Sequence, residues 1–294
     1  MELNTRIKYF SWAALRYPFA NTTCPACQST NTVRLKRKAL VTQLCECLNC
    51  YLRFRIPKDT AQENEVFYQD DYEQGVTTEC PTPAQLKGFL ETSFAGSAKD
   101  FSTYIAVLRS LGLRKDAVVL DYGSSWGYGS WQIKQAGCVV YSFEISVPRA
   151  KYAADELGCQ MLASPTEVPG KVDLLFSAHV IEHLPNPNII WETARDVLGS
   201  MGTLVLFMPN GDPSREKDDD RIYHQLWGKV HPLLLSARAL DAMAARHGFS
   251  GRAYSAPYDL GAIERGHSGD LSGDELLYVA RKLPVTRGNS DPNG

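Results

Sequence analysis

Residues 118–129, VVLDYGSSWGYG, constrain this chain more than any other stretch. An apolar run ends in an acid, and glycines follow at Gly123, Gly127 and Gly129. The run reads as a strand buried on both faces, as parallel strands are. The glycines read as a turn where backbone comes very close to a ligand. A second apolar run, residues 138–143, ends in Glu144. Two strands joined by a glycine loop and a short helix make a βαβ unit, shaped to hold a nucleoside at the strand ends.

The spacing narrows the nucleoside. A dinucleotide fingerprint reads G-x-G-x-x-G and turns a helix N-terminus toward a pyrophosphate. Here the pattern is Asp-x-Gly-x-x-x-Gly-x-Gly, with the acid ahead of the first glycine. An acid there repels a pyrophosphate and suits a cationic or amine-bearing ligand. On these residues the stretch resembles motif I of the class I S-adenosylmethionine (SAM) methyltransferases. The resemblance implies that Asp121, Gly123, Gly127 and Gly129 form the loop beneath the methionine part of SAM. It also implies that Glu144 accepts hydrogen bonds from both ribose hydroxyls.

Later segments extend the resemblance. Residues 164–169, SPTEVP, resemble the family loop that meets the adenine, with Ser164 near the base. The run VDLLFS at 172–177 leads into AHVIEHLPNP at 178–187. That passage is similar to motif IV and its extension in small-molecule methyltransferases of types 11, 12 and 23. It brings Ser177, at the strand end, among the cofactor contacts. Residues 200–202 read as a turn into a strand at 203–208, closed by Pro209-Asn210-Gly211. The implied fold is α/β, a Rossmann-like sheet of seven strands in the order 3-2-1-4-5-7-6.

Methyl transfer is an in-line displacement at a carbon already activated by the sulfonium, so alignment supplies much of the rate. A hydroxyl acceptor must also lose its proton, a task suited to histidine near neutral pH. His179, the first polar side chain after the fourth strand, and His231, before Pro232, are the two candidate bases. Glu182 and His183 are expected to orient their loop and contact SAM. Tyr68 and Tyr72 are open between lining the acceptor pocket and packing against the sheet.

The cysteines define a second unit. Cys24 and Cys27 form one C-x-x-C knuckle, nineteen residues intervene, and Cys47 and Cys50 form another. Two knuckles supply the four soft ligands of a tetrahedral Zn²⁺ site, and such a closed site is structural. Cys45 stands two residues before Cys47, and the C-x-x-C spacing favours Cys47 as the ligand. The segment resembles a zinc ribbon, with residues 51–56 alternating like an edge strand. The expected organisation is a ribbon at 1–57, a helical linker or cap at 58–115, the catalytic domain at 116–283 and a disordered tail at 284–294.

Charge bears on the acceptor. Residues 1–60 hold ten Lys and Arg against three Asp and Glu, while the remainder holds 21 against 30. A basic module on an acidic body points to an anionic partner. The resemblance to small-molecule methyltransferases implies a small-molecule or glycan acceptor methylated at a hydroxyl, and the basic module would suit an anionic one such as a nucleotide-linked sugar. The alternative is an RNA base, with the ribbon gripping phosphates; a third reading is a SAM-binding scaffold without turnover. No apolar run reaches the roughly 18 residues of a membrane span. Clustered thiols fit a reducing compartment, so the expected location is cytoplasmic.

Overall fold

The apolar runs flanking the glycine loop become the middle of a seven-stranded sheet. The computed structural model describes residues 3–71 and 79–284; Tyr72 and residues 285–294 of the expected tail lie outside them. The chain first forms β1 (Thr32–Lys38), β2 (Thr42–Cys47) and β3 (Arg53–Ile56). Next come β4 (Val118–Tyr122), β5 (Val139–Phe143), β6 (Gln160–Met161), β7 (Val172–Ala178) and β8 (Leu198–Pro209). A two-residue β9 (Leu233–Leu234) precedes β10 (Phe249–Ser255) and β11 (Glu275–Lys282). The large sheet runs β6-β5-β4-β7-β8-β11-β10. Leaving out β9, that is the expected order 3-2-1-4-5-7-6. Strands β6 to β8 are parallel, and β11 enters antiparallel between β8 and β10.

Both faces of the sheet are covered, which is why its central strands carry apolar residues at successive positions. Leu120, Leu175, Leu204 and Leu206 pack with Trp191 and Leu240 from the helices Asn188–Val197 and Ala237–Arg246. Val119, Phe176, Val205 and Phe207 pack on the other face with Leu108, Ile133 and Ile263 from three further helices.

The cysteine-bearing segment shares the first of these cores: Leu52, Phe54 and Ile56 are buried in one cluster with Ile190 and Trp191. Strand β3 is not an edge, contrary to the sequence expectation. It lies between β2 and β9, pairing Arg53 with Leu234 and Phe54 with Leu233. The alternating pattern is misleading here because its arginines are buried. Arg53 bonds Glu46 at 2.7 Å and Glu216 at 3.0 Å, and Arg55 bonds Asp59.

Within residues 58–115, Thr60 and Glu63 close a capping box on the helix Ala61–Val66. The expected turn at 200–202 lies inside β8, as an irregularity between the pairs Val172–Leu198 and Leu174–Thr203. Residues 212–220 include the helix Ser214–Asp218, from which Glu216 meets Lys36 at 2.9 Å.

Candidate active site

The loop after β4 crosses to the end of β5. The amides of Gly123 and Ser124 both donate to Phe143 O, at 2.8 and 3.0 Å. The Ser125 amide donates to Glu144 Oε2 at 2.9 Å, and the Ser146 amide to Oε1 at 2.8 Å. Burial raises the Glu144 carboxyl, while those amides and Arg149 hold it down. Gly123 has φ +84°, and a Cβ there would sit 2.4 Å from Val180 Cγ2. Only glycine fits that crossing. Gly123 and Glu144 line a cavity of about 890 Å³, within the ~300–1,000 Å³ of ordinary ligand pockets.

Asp121, Gly127 and Gly129 are not part of the cavity lining. Asp121 is buried and accepts from Ser130 Oγ at 2.6 Å, while Ser142 Oγ bonds Ser130 Oγ at 2.8 Å. Burial lifts its carboxyl to about 7, only partly offset by the Ser130 hydroxyl. Gly127 lets the loop close on Ala153 and Cys159, whose side chains lie 2.8 Å from where a Cβ would stand, and Gly129 admits the Phe101 ring. Ser177 donates to Tyr122 O at 2.8 Å, tying β7 to β4. Ser164 pairs with Thr166 and is not part of the cavity lining.

At the far end of the cavity, His179 follows β7 in the left-handed region with φ +55°, a conformation uncommon for histidine. Its Nε2 lies 2.7 Å from Glu275 Oε2 and its Nδ1 3.5 Å from Glu182 Oε1. Burial would lower the imidazole, but the Glu182 and Glu275 carboxylates outweigh it and raise it to about 10. His179 is thus a cation at neutral pH, with no proton vacancy to offer a hydroxyl. Glu275 also accepts from Tyr104 at 2.8 Å and Tyr258 at 2.6 Å.

His183 and His231 stand together, with ring centroids 4.7 Å apart. Each has its Nδ1 against a backbone carbonyl: Val230 O at 2.7 Å for His183 and Leu226 O at 3.0 Å for His231. Both rings and the Glu182 carboxylate line the cavity. Sequence reasoning brought Glu144, Gly123, His179 and His231 to one cavity but missed Glu275, Tyr104 and Tyr258. Glu275 stands on the antiparallel β11, nearly a hundred residues after His179, and no local motif marks it.

Away from this cavity, four thiols converge. Cys24 Sγ is 3.5 Å from Cys50 Sγ, and Cys27 Sγ is 3.4 Å from Cys47 Sγ. All four sulfurs lie within 4.8 Å of one another. Thiolates about 2.3 Å from a central tetrahedral ion would be roughly 3.8 Å apart, so the set fits Zn²⁺. Cys45 points elsewhere, and burial pushes its thiol up to about 11.

A glycine loop under a cavity, an acid closing β5 and a sheet with one antiparallel hairpin define the class of SAM-dependent methyltransferases. Residues 98–253, just over half of the chain, match the methyltransferase-domain family of type 23, and the chain belongs to that family. It is a SAM-dependent methyltransferase. No curated protein matches. Among solved structures, the plantazolicin methyltransferase BpumL in complex with S-adenosylhomocysteine (SAH) is similar at 11% identity and TM-score 0.50, over 75% of this chain and 93% of that one. The magnesium protoporphyrin IX methyltransferase of Synechocystis PCC 6803, with bound SAH, is similar at 15% identity and TM-score 0.49, over 76% of this chain and 100% of that one. The BpumL likeness supports the fold alone.

Proposed function

We propose that the enzyme methylates a hydroxyl of a small-molecule or glycan acceptor. The observation that carries this reading is one continuous cavity with two unlike ends. Gly123 and Glu144 stand at the β4–β5 end, where the nucleoside of SAM belongs. His179, Glu182, His183, His231 and Glu275 gather at the other. Glu144 holds the ribose, and the Gly123 backbone passes beneath the methionine part. Asp121, Gly127, Gly129 and Ser177 keep that loop in shape from behind.

The acceptor hydroxyl loses its proton in the part of the cavity lined by Glu182, His183 and His231. His179 is held as a cation by two carboxylates, and it orients the loop and Glu275. The four thiols hold a structural Zn²⁺, and thiolate ligands of that kind are preserved in a reducing compartment such as the cytoplasm.

The RNA reading loses its main support in the ribbon. Lys36, Arg53 and Arg55 bond acids of this same chain, and Lys38 donates to His224 O at 2.8 Å. Cations spent in this way do not form a phosphate-gripping face. Two carboxylates at the acceptor end, Glu182 and Glu275, likewise favour a neutral hydroxyl over an entering phosphate.

The test is label transfer from methyl-labelled SAM into a deproteinised host extract, separated into RNA and low-mass or glycan fractions. Label in the low-mass or glycan fraction supports the proposal. Salt-sensitive label in RNA would replace it with the RNA reading.

A further inference from the structure

We propose that Glu182, His183 and His231 form a second metal site, separate from the four thiols, that takes a divalent transition ion such as Mn²⁺, Fe²⁺ or Zn²⁺. One ligand atom from each lies within 4.8 Å of the other two. Bonds of about 2.0–2.2 Å would bring N and O ligands to roughly 3–3.5 Å from one another, so the side chains would close by about an ångström.

Two features prepare these groups for an ion. The first is tautomer selection. A carbonyl only accepts, so the contacts of His183 to Val230 O and His231 to Leu226 O put the ring proton on Nδ1 in both. The Nε2 atoms then carry the lone pairs, and His183 Nε2 lies 3.7 Å from Glu182 Oε1. Metal-ligating histidines are oriented by this kind of outer hydrogen bond. The second feature is Glu182 itself. Its side chain is 3% exposed, and among the described residues neither oxygen accepts a hydrogen bond. A buried carboxylate whose ion pair to His179 is as long as 3.5 Å gains further from coordinating a metal. His179, its other neighbour, is 3.5 Å away and lies closer to Glu275, at 2.7 Å.

Two imidazoles and one carboxylate suit borderline divalent ions, whereas the thiol set suits softer ones. All three ligands line the cavity, so the ion's remaining positions face the acceptor. The role of the ion rests on the hydroxyl-methylation reading above. The ion would bind the acceptor hydroxyl and lower its pKa, and the proton would pass to water. The resulting oxygen anion forms the new C–O bond while the sulfonium C–S bond breaks. That electron pair stays on sulfur, giving SAH.

The test uses the full-length, zinc-containing protein. Mn²⁺ binding is titrated by loss of the free-ion EPR signal, and Zn²⁺ uptake is counted by mass spectrometry. One Mn²⁺ per chain, or a Zn²⁺ beyond the thiolate-bound ion, is expected, with affinity weakened at least tenfold in Glu182→Gln and in His231→Ala. Neither ion taken up at this site, or uptake unchanged in both variants, would overturn the proposal. SAM affinity is measured calorimetrically on the same samples. Intact SAM binding without the metal removes only this inference, whereas absent SAM binding removes the assignment of the cavity as well.

Discussion

Glu144→Gln tests the cofactor end of the site most directly. The carboxylate receives the Ser125 amide on one oxygen and the Ser146 amide on the other, at 2.9 and 2.8 Å. Each oxygen keeps a further lone pair for a ribose hydroxyl. A glutamine has one acceptor oxygen, so its NH₂ must face one of the two backbone amides and one hydroxyl loses its acceptor. A hydrogen bond to a charged group contributes about 1.5–3 kcal/mol, so losing one should raise the Kd for SAM about 10- to 150-fold. Isothermal titration with SAM and with SAH reads this, and both ligands should weaken alike because they share the ribose. Burial raises the Glu144 carboxyl, so in the wild type SAM affinity should begin to fall at a higher pH than an ordinary glutamate would give. A Kd within threefold of wild type, in a variant whose thermal unfolding is unchanged, would refute the placement of the ribose at Glu144.

Two stability predictions bear on the loop. In Gly129→Ala the new Cβ would sit 2.4 Å from Phe101 Cε1, and that ring is backed edge-on by Tyr104 and Tyr128. Overpacking costs about 1–3 kcal/mol and the alanine regains up to about 1 kcal/mol of helix propensity, so urea denaturation should show a net loss of about 1–2 kcal/mol. An unchanged midpoint would mean that Phe101 does not dock there. Asp121 has its carboxyl raised to about 7 from 3.8, so the folded state binds the extra proton between those values. Its contribution is therefore present at low pH and is lost as pH rises toward 7, by at most about 4 kcal/mol. Asp121→Asn should flatten this fall between about pH 4 and pH 7; an identical pH profile in the variant would show that Asp121 titrates normally.

What could be read from the sequence was what local chemistry imposes. The strand β4, the glycine at Gly123 and the acid at Glu144 are set within one βαβ unit, and the sheet order follows from the family resemblance. The C-x-x-C spacing picks Cys47 over Cys45, and Cys47 is the one that joins the other three thiols. What escaped depends on distant pairing. Residues 51–56 look like an edge because they are basic, yet Arg55 is buried against Asp59 and its amide donates to Pro232 O at 2.8 Å. The helix Leu3–Arg16 carries only the weak apolar pattern of residues such as Tyr9, and Tyr9 packs on Arg55. His179 was a reasonable base on residue type alone. Its two carboxylate neighbours come from the next turn and from β11, and they convert it to a cation.

The ribbon and the acceptor end are mechanically one unit. Strand β3 emerges from the second knuckle and pairs with β9, and β9 begins two residues after His231. The same segment is held again where Lys229 donates to Asp59 at 2.8 Å and Lys38 to His224 O. Zinc at the thiols should therefore fix the backbone that presents His231, while Glu144 and Gly123 hang from the sheet independently. Removing zinc in a Cys24→Ser, Cys27→Ser double variant should leave the Kd for SAM within about threefold and release the segment around His231. Hydrogen exchange followed by mass spectrometry should show lost protection in peptides spanning residues 226–235 and 53–56, with β4 and β5 peptides unchanged. Uniform loss across the sheet would instead make the thiol site a keystone of the whole fold. Full protection at 226–235 without zinc would sever the ribbon from the acceptor end, leaving packing at β9 alone to hold His231 in place.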